Sequence, residues 1–164
     1  MYYINLFFFF SIIGFVFECI VSFLSKQCFE SGFLYGPWTP IYGLTIFLIL
    51  GVNYFLKRKF LIKILEVILF FVIITIVITV LEFIGGHFIY LIFKEHFWDY
   101  SNLKFSIGKY ICFEISLVWG ILATFINYFV YPKIIKIVRN IPHKLTIVLI
   151  VVFTIDIIIT LFTR

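Results

Sequence analysis

ILEVILFFVIITIVITVLEFIGGHFIYLIF, residues 64–93, decides the fold. The stretch is apolar almost throughout, and its interior is charged only at Glu82. A run of about 20 apolar residues spans the hydrocarbon of a bilayer. At about 1.5 Å per residue, a helix of this length reaches about 45 Å, beyond a core of roughly 30 Å. It must therefore tilt, project or break, and Gly85-Gly86 is the expected place for a break.

Four further apolar stretches lie around it. They are expected at about Tyr3–Ser25, Ile41–Leu56, Tyr110–Tyr131, where Pro132 stops the helix, and Leu145–Thr163. Hydrophobic residues make up 64% of the 164-residue chain and charged residues 13%, too few charges for a soluble domain of this size. The expectation is all-α: a single transmembrane domain over residues 1–164, a polytopic bundle of about five helices. The start lacks a basic region and a small-residue cleavage site, so the first apolar segment reads as a retained helix.

The net charge of +5 belongs to membrane orientation, not to nucleic acid. Lys57, Arg58, Lys59 and Lys63 follow the second span, and Lys133, Lys136, Arg139 and Lys144 follow the fourth. With five spans these two loops share a side, and they hold eight of the thirteen basic residues. The remaining loops offset Lys26, Lys94, Lys104 and Lys109 with Glu30, Glu95 and Asp99. Excess Lys and Arg marks the cytoplasmic side, so the N-terminus is expected inside, with Trp38 and Trp98 at the outer interface. The segment PKIIKIVRNIPHK, residues 132–144, fits a short amphipathic helix on the cytoplasmic surface.

Acids inside the spans carry the functional signal. Glu18, Glu82, Glu114 and Asp156 fall in spans one, three, four and five. A central acid costs roughly 2.5–3.5 kcal/mol on insertion scales, so each needs a reason. They are expected to be neutral, paired with edge lysines, or holding a proton or cation. Ser11, Gly14, Glu18, Ser22 and Ser25 form one small polar stripe at helical spacing. Thr75, Thr79, Glu82, Gly86 and Tyr90 form another, and the two are expected to pack closely and face the bundle interior. Glu114 points roughly opposite Ser116. Asp156 has only Thr160 and Thr163 on its face and reads as helix glue. A polar outer-half cavity for a proton, cation or solute competes with hydrogen-bonded glue for Glu18 and Glu82.

The cysteines, Cys19, Cys28 and Cys112, and the histidines show neither C-x-x-C nor H-x-x-x-H spacing, so no metal is expected. No P-loop is present and no cofactor is implied. The loop GFLYGPWTPIYG, residues 32–43, is too rich in Gly and Pro for a regular helix. Irregular backbone near a membrane is buried in protein or lines a wet cavity. This loop either dips back to cap the acids or is an ordinary ordered loop held by interfacial aromatics, the somewhat commoner case. Asp99 in FWDYS, residues 97–101, either joins the same site or caps the start of a turn.

Those elements, with VLEF (residues 80–83) and CFEISLVWG (residues 112–120), resemble the CmpB-like family of type IV ABC-transporter permeases over roughly residues 4–132. Family members are small multi-pass membrane proteins, mostly bacterial. The matching positions are Glu18, Gly32, Tyr35, Gly36, Pro37, Pro40, Tyr42, Gly43, Glu82, Trp98, Asp99, Tyr100, Ser101, Glu114, Trp119 and Gly120. The resemblance implies a bacterial plasma-membrane permease with a separate cytoplasmic ATPase. With so few spans, a homo-oligomer or partner membrane subunit would complete a pathway. The candidate binding residues are Glu18, Glu82, Glu114, Tyr35, Trp38, Tyr42, Trp98, Asp99, Tyr100 and Trp119. The alternatives are a membrane enzyme acting on a lipid or lipid-linked substrate, and a structural or regulatory subunit.

Overall fold

The computed structural model describes residues 1–24, 34–57 and 62–163. Gly32, Lys26, Cys28, Glu30, Arg58 and Lys59 lie outside the described residues. Helices α1 (Tyr2–Leu24), α2 (Pro40–Leu56) and α3 (Lys63–Phe93) come first. Strands β1 (Ser106–Ile107) and β2 (Ile111–Cys112) pair antiparallel, with Gly108 at φ 67° in the turn. Helix α4 (Phe113–Phe125) passes through a π-turn, Ile126–Val130, into α5 (Tyr131–Arg139), and α6 (His143–Thr163) ends the chain. Four helical stretches are long and apolar enough to cross a membrane: Tyr2–Leu24, Lys63–Phe93, Phe113–Arg139 and His143–Thr163. Pro40–Leu56 is a shorter apolar helix of 17 residues, near the lower limit for a span.

Two expectations about helix ends are corrected. No break occurs at Gly85-Gly86, and α3 runs unbroken for 31 residues. Gly86 is instead a seat: a Cβ there would collide with the ring of Tyr110. Nor does Pro132 end the fourth span, because the helix continues to Arg139. Proline has no N–H and its ring crowds the preceding turn. The π-turn just before it carries wider hydrogen bonding, with the Tyr131 N–H donating to Ile126 O, and lets the helix run through.

The solvent logic of a globular protein is inverted on α6, and α3 also turns a wide apolar face outward. On α6 the buried residues are Thr146, Asp156 and Thr160, while Val148, Val152, Ile155 and Ile159 are exposed. On α3 the exposed face carries Ile64, Ile68, Val72, Ile76 and Val80 at four-residue steps. Polar groups inside and a continuous apolar face outside suit hydrocarbon as the solvent. The chain has the all-α, polytopic membrane architecture that its sequence implies.

The chain folds as two compact units, Met1–Ile46 with Ile134–Arg164, and Phe47–Lys133. In the first, the Asn5 side-chain amide donates to Val138 O at 3.4 Å, and the Thr146 hydroxyl donates to Asn5 Oδ1. The Arg139 guanidinium sits 5.5 Å from the Tyr2 ring centroid. Phe8, Leu34 and Trp38 form a buried cluster with Phe7, Leu149 and Phe153 around it. The small stripe of α1 meets the chain around the start of α2: Thr39 N–H donates to Ser11 O at 3.0 Å, and Gly14 lies under the Tyr42 ring.

In the second unit α3 packs on α4. Gly120 makes the approach close, since a Cβ there would overlap the Thr75 hydroxyl and press on Phe71. Phe70 packs edge-on against Tyr128. The small polar stripe of α1 meets the loop and first turn of α2, and that of α3 meets α4 and Tyr110.

Candidate functional site

Among the described residues, Glu18, Glu82 and Asp156 are each met by an aromatic hydroxyl, an indole or backbone N–H groups. In the first unit the Tyr42 hydroxyl donates to Glu18 Oε1 at 2.9 Å. Tyr42 is in the first turn of α2, where Pro40 opens the helix without needing a donor. The end of GFLYGPWTPIYG is therefore helical, and among its described residues those at 34–39 are irregular.

Asp156 does more than the sequence predicts. Its Oδ1 accepts from Tyr35 N–H at 3.2 Å. Its Oδ2 accepts from Gly36 N–H at 2.9 Å and from Trp38 Nε1–H at 2.6 Å. The Tyr35 hydroxyl also lies 3.0 Å from Thr163 Oγ1. One carboxylate on α6 thus shapes the irregular loop. A Cβ on Gly36 would strike the Trp38 indole, so that glycine is required by the close turn. This role was missed because its donors lie 118 to 121 residues away in the chain.

The second unit holds Glu82. It is buried, and its Oε1 accepts from Trp119 Nε1–H at 2.9 Å and from the Tyr100 hydroxyl at 3.2 Å. Among the described residues its Oε2 is buried with no partner, as are Ser116 Oγ and Trp98 Nε1. The loop that delivers Tyr100 is tied down by its own N–H donating to Lys109 O at 2.7 Å. Trp98 packs against Tyr110, with ring centroids 6.0 Å apart. Asp99 is exposed and accepts from Ser101 N–H at 2.8 Å. Hydrogen bonds from the Ser101 side chain and backbone hold its carboxyl below the usual carboxylate range.

Among the candidate residues, then, Glu18 is joined to Tyr42, and Glu82 to Tyr100 and Trp119. Tyr35 and Trp38 are joined to Asp156, while Trp98 and Asp99 hold the adjoining loop. Glu114 is exposed in the first turn of α4, while Ser116 is buried, the opposite facing that helical spacing implies. Among the described residues, no three His, Cys, Asp or Glu side chains gather as a metal would need.

Four aromatic residues of the sequence motifs are therefore hydrogen-bond donors to acids. Tyr42 belongs to PIYG, Trp38 to GPW, Tyr100 to WDYS and Trp119 to LVWG. Residues 5–161 match the family described as "Putative ABC-transporter type IV". The chain belongs to this family. The match extends past residue 132, where the resemblance was expected to stop, and takes in Asp156. The description names an ABC-transporter component, and a membrane location follows from it together with the apolar helices. No curated protein and no solved structure matches the chain.

Proposed function

We propose that the chain is the membrane-embedded component of an ABC-type transporter, and that Glu82 is where it takes a proton, a cation or the polar group of a solute. The unpartnered Glu82 Oε2 carries this reading. One carboxyl oxygen is fixed by Trp119 and Tyr100, and the other is left in a buried site with nothing to bond. A buried polar atom without a partner carries a penalty of about 1–3 kcal/mol, which a bound proton or ligand would relieve.

The test is flux across liposomes containing the purified protein, with proton and alkali-cation gradients as probes. Glu82→Gln keeps a carbonyl for Trp119 and Tyr100 but removes the acid. The expected outcome is unchanged thermal stability with flux reduced at least about tenfold, a loss of about 1.4 kcal/mol of interaction. Equal flux in both proteins removes Glu82 from the mechanism. The aromatic donors also favour a second reading, in which the acids serve only as helix glue. Abundance separates the two: glue predicts that Glu82→Leu loses folded protein in step with any phenotype, while Glu82→Gln, which keeps the acceptor, retains both.

We also propose a cytoplasmic N-terminus. Asn5 and Tyr2 contact Val138, Thr146 and Arg139, so the start of α1 lies beside the basic segment at residues 133–144. Loop residues 35–38 meet α6 at Asp156, about 20 Å along the helix from His143, and Tyr35 reaches Thr163. By the positive-inside rule the loop then faces outward. In a cysteine-free background, Tyr35→Cys should react with an impermeant maleimide in intact cells, and Lys136→Cys only after permeabilisation. The reverse pattern would overturn this orientation. A separate ATPase and a partner membrane subunit or second copy complete the proposed transporter.

A further inference from the structure

A polar pocket lies at the opposite end of α3 from Glu82. Asn53 and Lys57 reach it from the end of α2, Lys63 and Glu66 from the first turn of α3, and Asn127 and Tyr128 from the π-turn. Its volume is about 420 Å³, within the range of small-molecule sites. Glu66 is sixteen residues before Glu82, roughly 24 Å away along the helix, so this pocket is separate from the transport reading.

Its chemistry is two-sided. Lys57 and Lys63 bring two positive charges to the edge of apolar helices, where lipid headgroups lie. Asn127 lines the same pocket from the helix wall. It is only 4% exposed, and its side-chain carbonyl oxygen has no partner among the described residues. A buried acceptor in a polar pocket calls for a donor. Glu66 adds a second acceptor, one of whose oxygens is held by the Tyr128 hydroxyl at 3.4 Å. The π-turn brings Asn127 and Tyr128 to the cavity, and such turns concentrate at functional sites.

We propose that this pocket binds a phosphoethanolamine group: the lysines hold the phosphate, and Asn127 Oδ1 and Glu66 accept from the ammonium. The group is available from a membrane lipid or as a soluble ester, and the experiment separates these sources. Full-length protein purified in detergent is titrated with phosphatidylethanolamine, phosphatidylcholine and soluble phosphoethanolamine, and bound ligand is read by native mass spectrometry. Phosphatidylcholine carries the same phosphate, but its quaternary nitrogen has no N–H.

The expected result is a preference for phosphatidylethanolamine over phosphatidylcholine of at least about tenfold, the scale of one charged hydrogen bond. Asn127→Leu should abolish that preference. Lys57→Gln with Lys63→Gln, two surface changes that leave the helices intact, should weaken both lipids several-fold and nearly equally. Competition by soluble phosphoethanolamine assigns recognition to the headgroup alone; binding of the lipid only assigns it to the membrane source. Equal retention of the two lipids by the unaltered protein would overturn the proposal. So would a preference that survives Asn127→Leu, or lipid binding untouched by loss of both lysines.

Discussion

Asp156→Leu is expected to destabilise the first unit by about 3–5 kcal/mol, because it leaves three neutral hydrogen-bond donors without their acceptor. Three donors depend on this carboxylate: the N–H groups of Tyr35 and Gly36 and the indole N–H of Trp38. Leucine accepts nothing, and each orphaned buried donor costs about 1–3 kcal/mol. Asp156→Asn retains one acceptor oxygen and should fall between the two. Trp38→Phe keeps a ring near Phe8 and Phe153 while deleting one donor, so its effect should be the smaller, about 1–2 kcal/mol. Thermal unfolding by circular dichroism in one detergent measures all three. Limited proteolysis at residues 34–38 adds a local readout, with leucine exposing the loop well below the global transition. If Asp156→Leu melts within about 0.5 kcal/mol of the parent, the range of an ordinary surface change, Asp156 does not hold the loop.

Gly120→Val should cost about 3 kcal/mol and also loosen Glu82. The space where a side chain would begin is filled by the Thr75 hydroxyl and edged by Phe71. Thr75 cannot easily yield, because its hydroxyl donates to Phe71 O at 2.7 Å on its own helix. Overpacking a tight contact typically costs about 1–3 kcal/mol, and valine places two branches against this wall. Trp119 is the neighbouring residue, so forcing α4 away from α3 should lengthen its 2.9 Å bond to Glu82. Gly120→Ala should be milder, and Thr75→Ala combined with it should recover more than half the loss. A double-mutant cycle on unfolding midpoints checks the coupling. If the two changes add independently, the glycine is not a packing device for Thr75.

Much of the architecture was legible because a bilayer imposes a simple code. Apolar runs give the helices, and small or polar residues at three- and four-residue spacing mark faces turned toward protein. Ser11, Gly14, Thr75, Glu82 and Gly86 could be placed this way. Two punctuation marks misled. Gly85-Gly86 reads as a break, but a glycine that seats a tyrosine ring leaves helical hydrogen bonding intact. Pro132 reads as a stop, but a single π-turn absorbs it. Neither outcome can be derived from local propensity, because each depends on what packs alongside.

The candidate site was legible by composition and not by pairing. Four acids in apolar helices announce themselves, and the aromatic motifs stand out beside them. That Tyr42 serves Glu18, that Tyr100 and Trp119 share one oxygen of Glu82, and that Trp38 serves Asp156 follow only from folded geometry. Asp156 shows the gap most sharply: its own face offers little, and its donors arrive from a distant loop. The amino-acid sequence by itself determined the solvent, the helices and the polar positions, since hydrocarbon penalises every exposed charge and unpaired backbone group in the same way. Tertiary structure alone decided which donor meets which acid and which polar atoms stay unpaired, because hydrogen bonds a few ångströms long join residues that the chain keeps far apart.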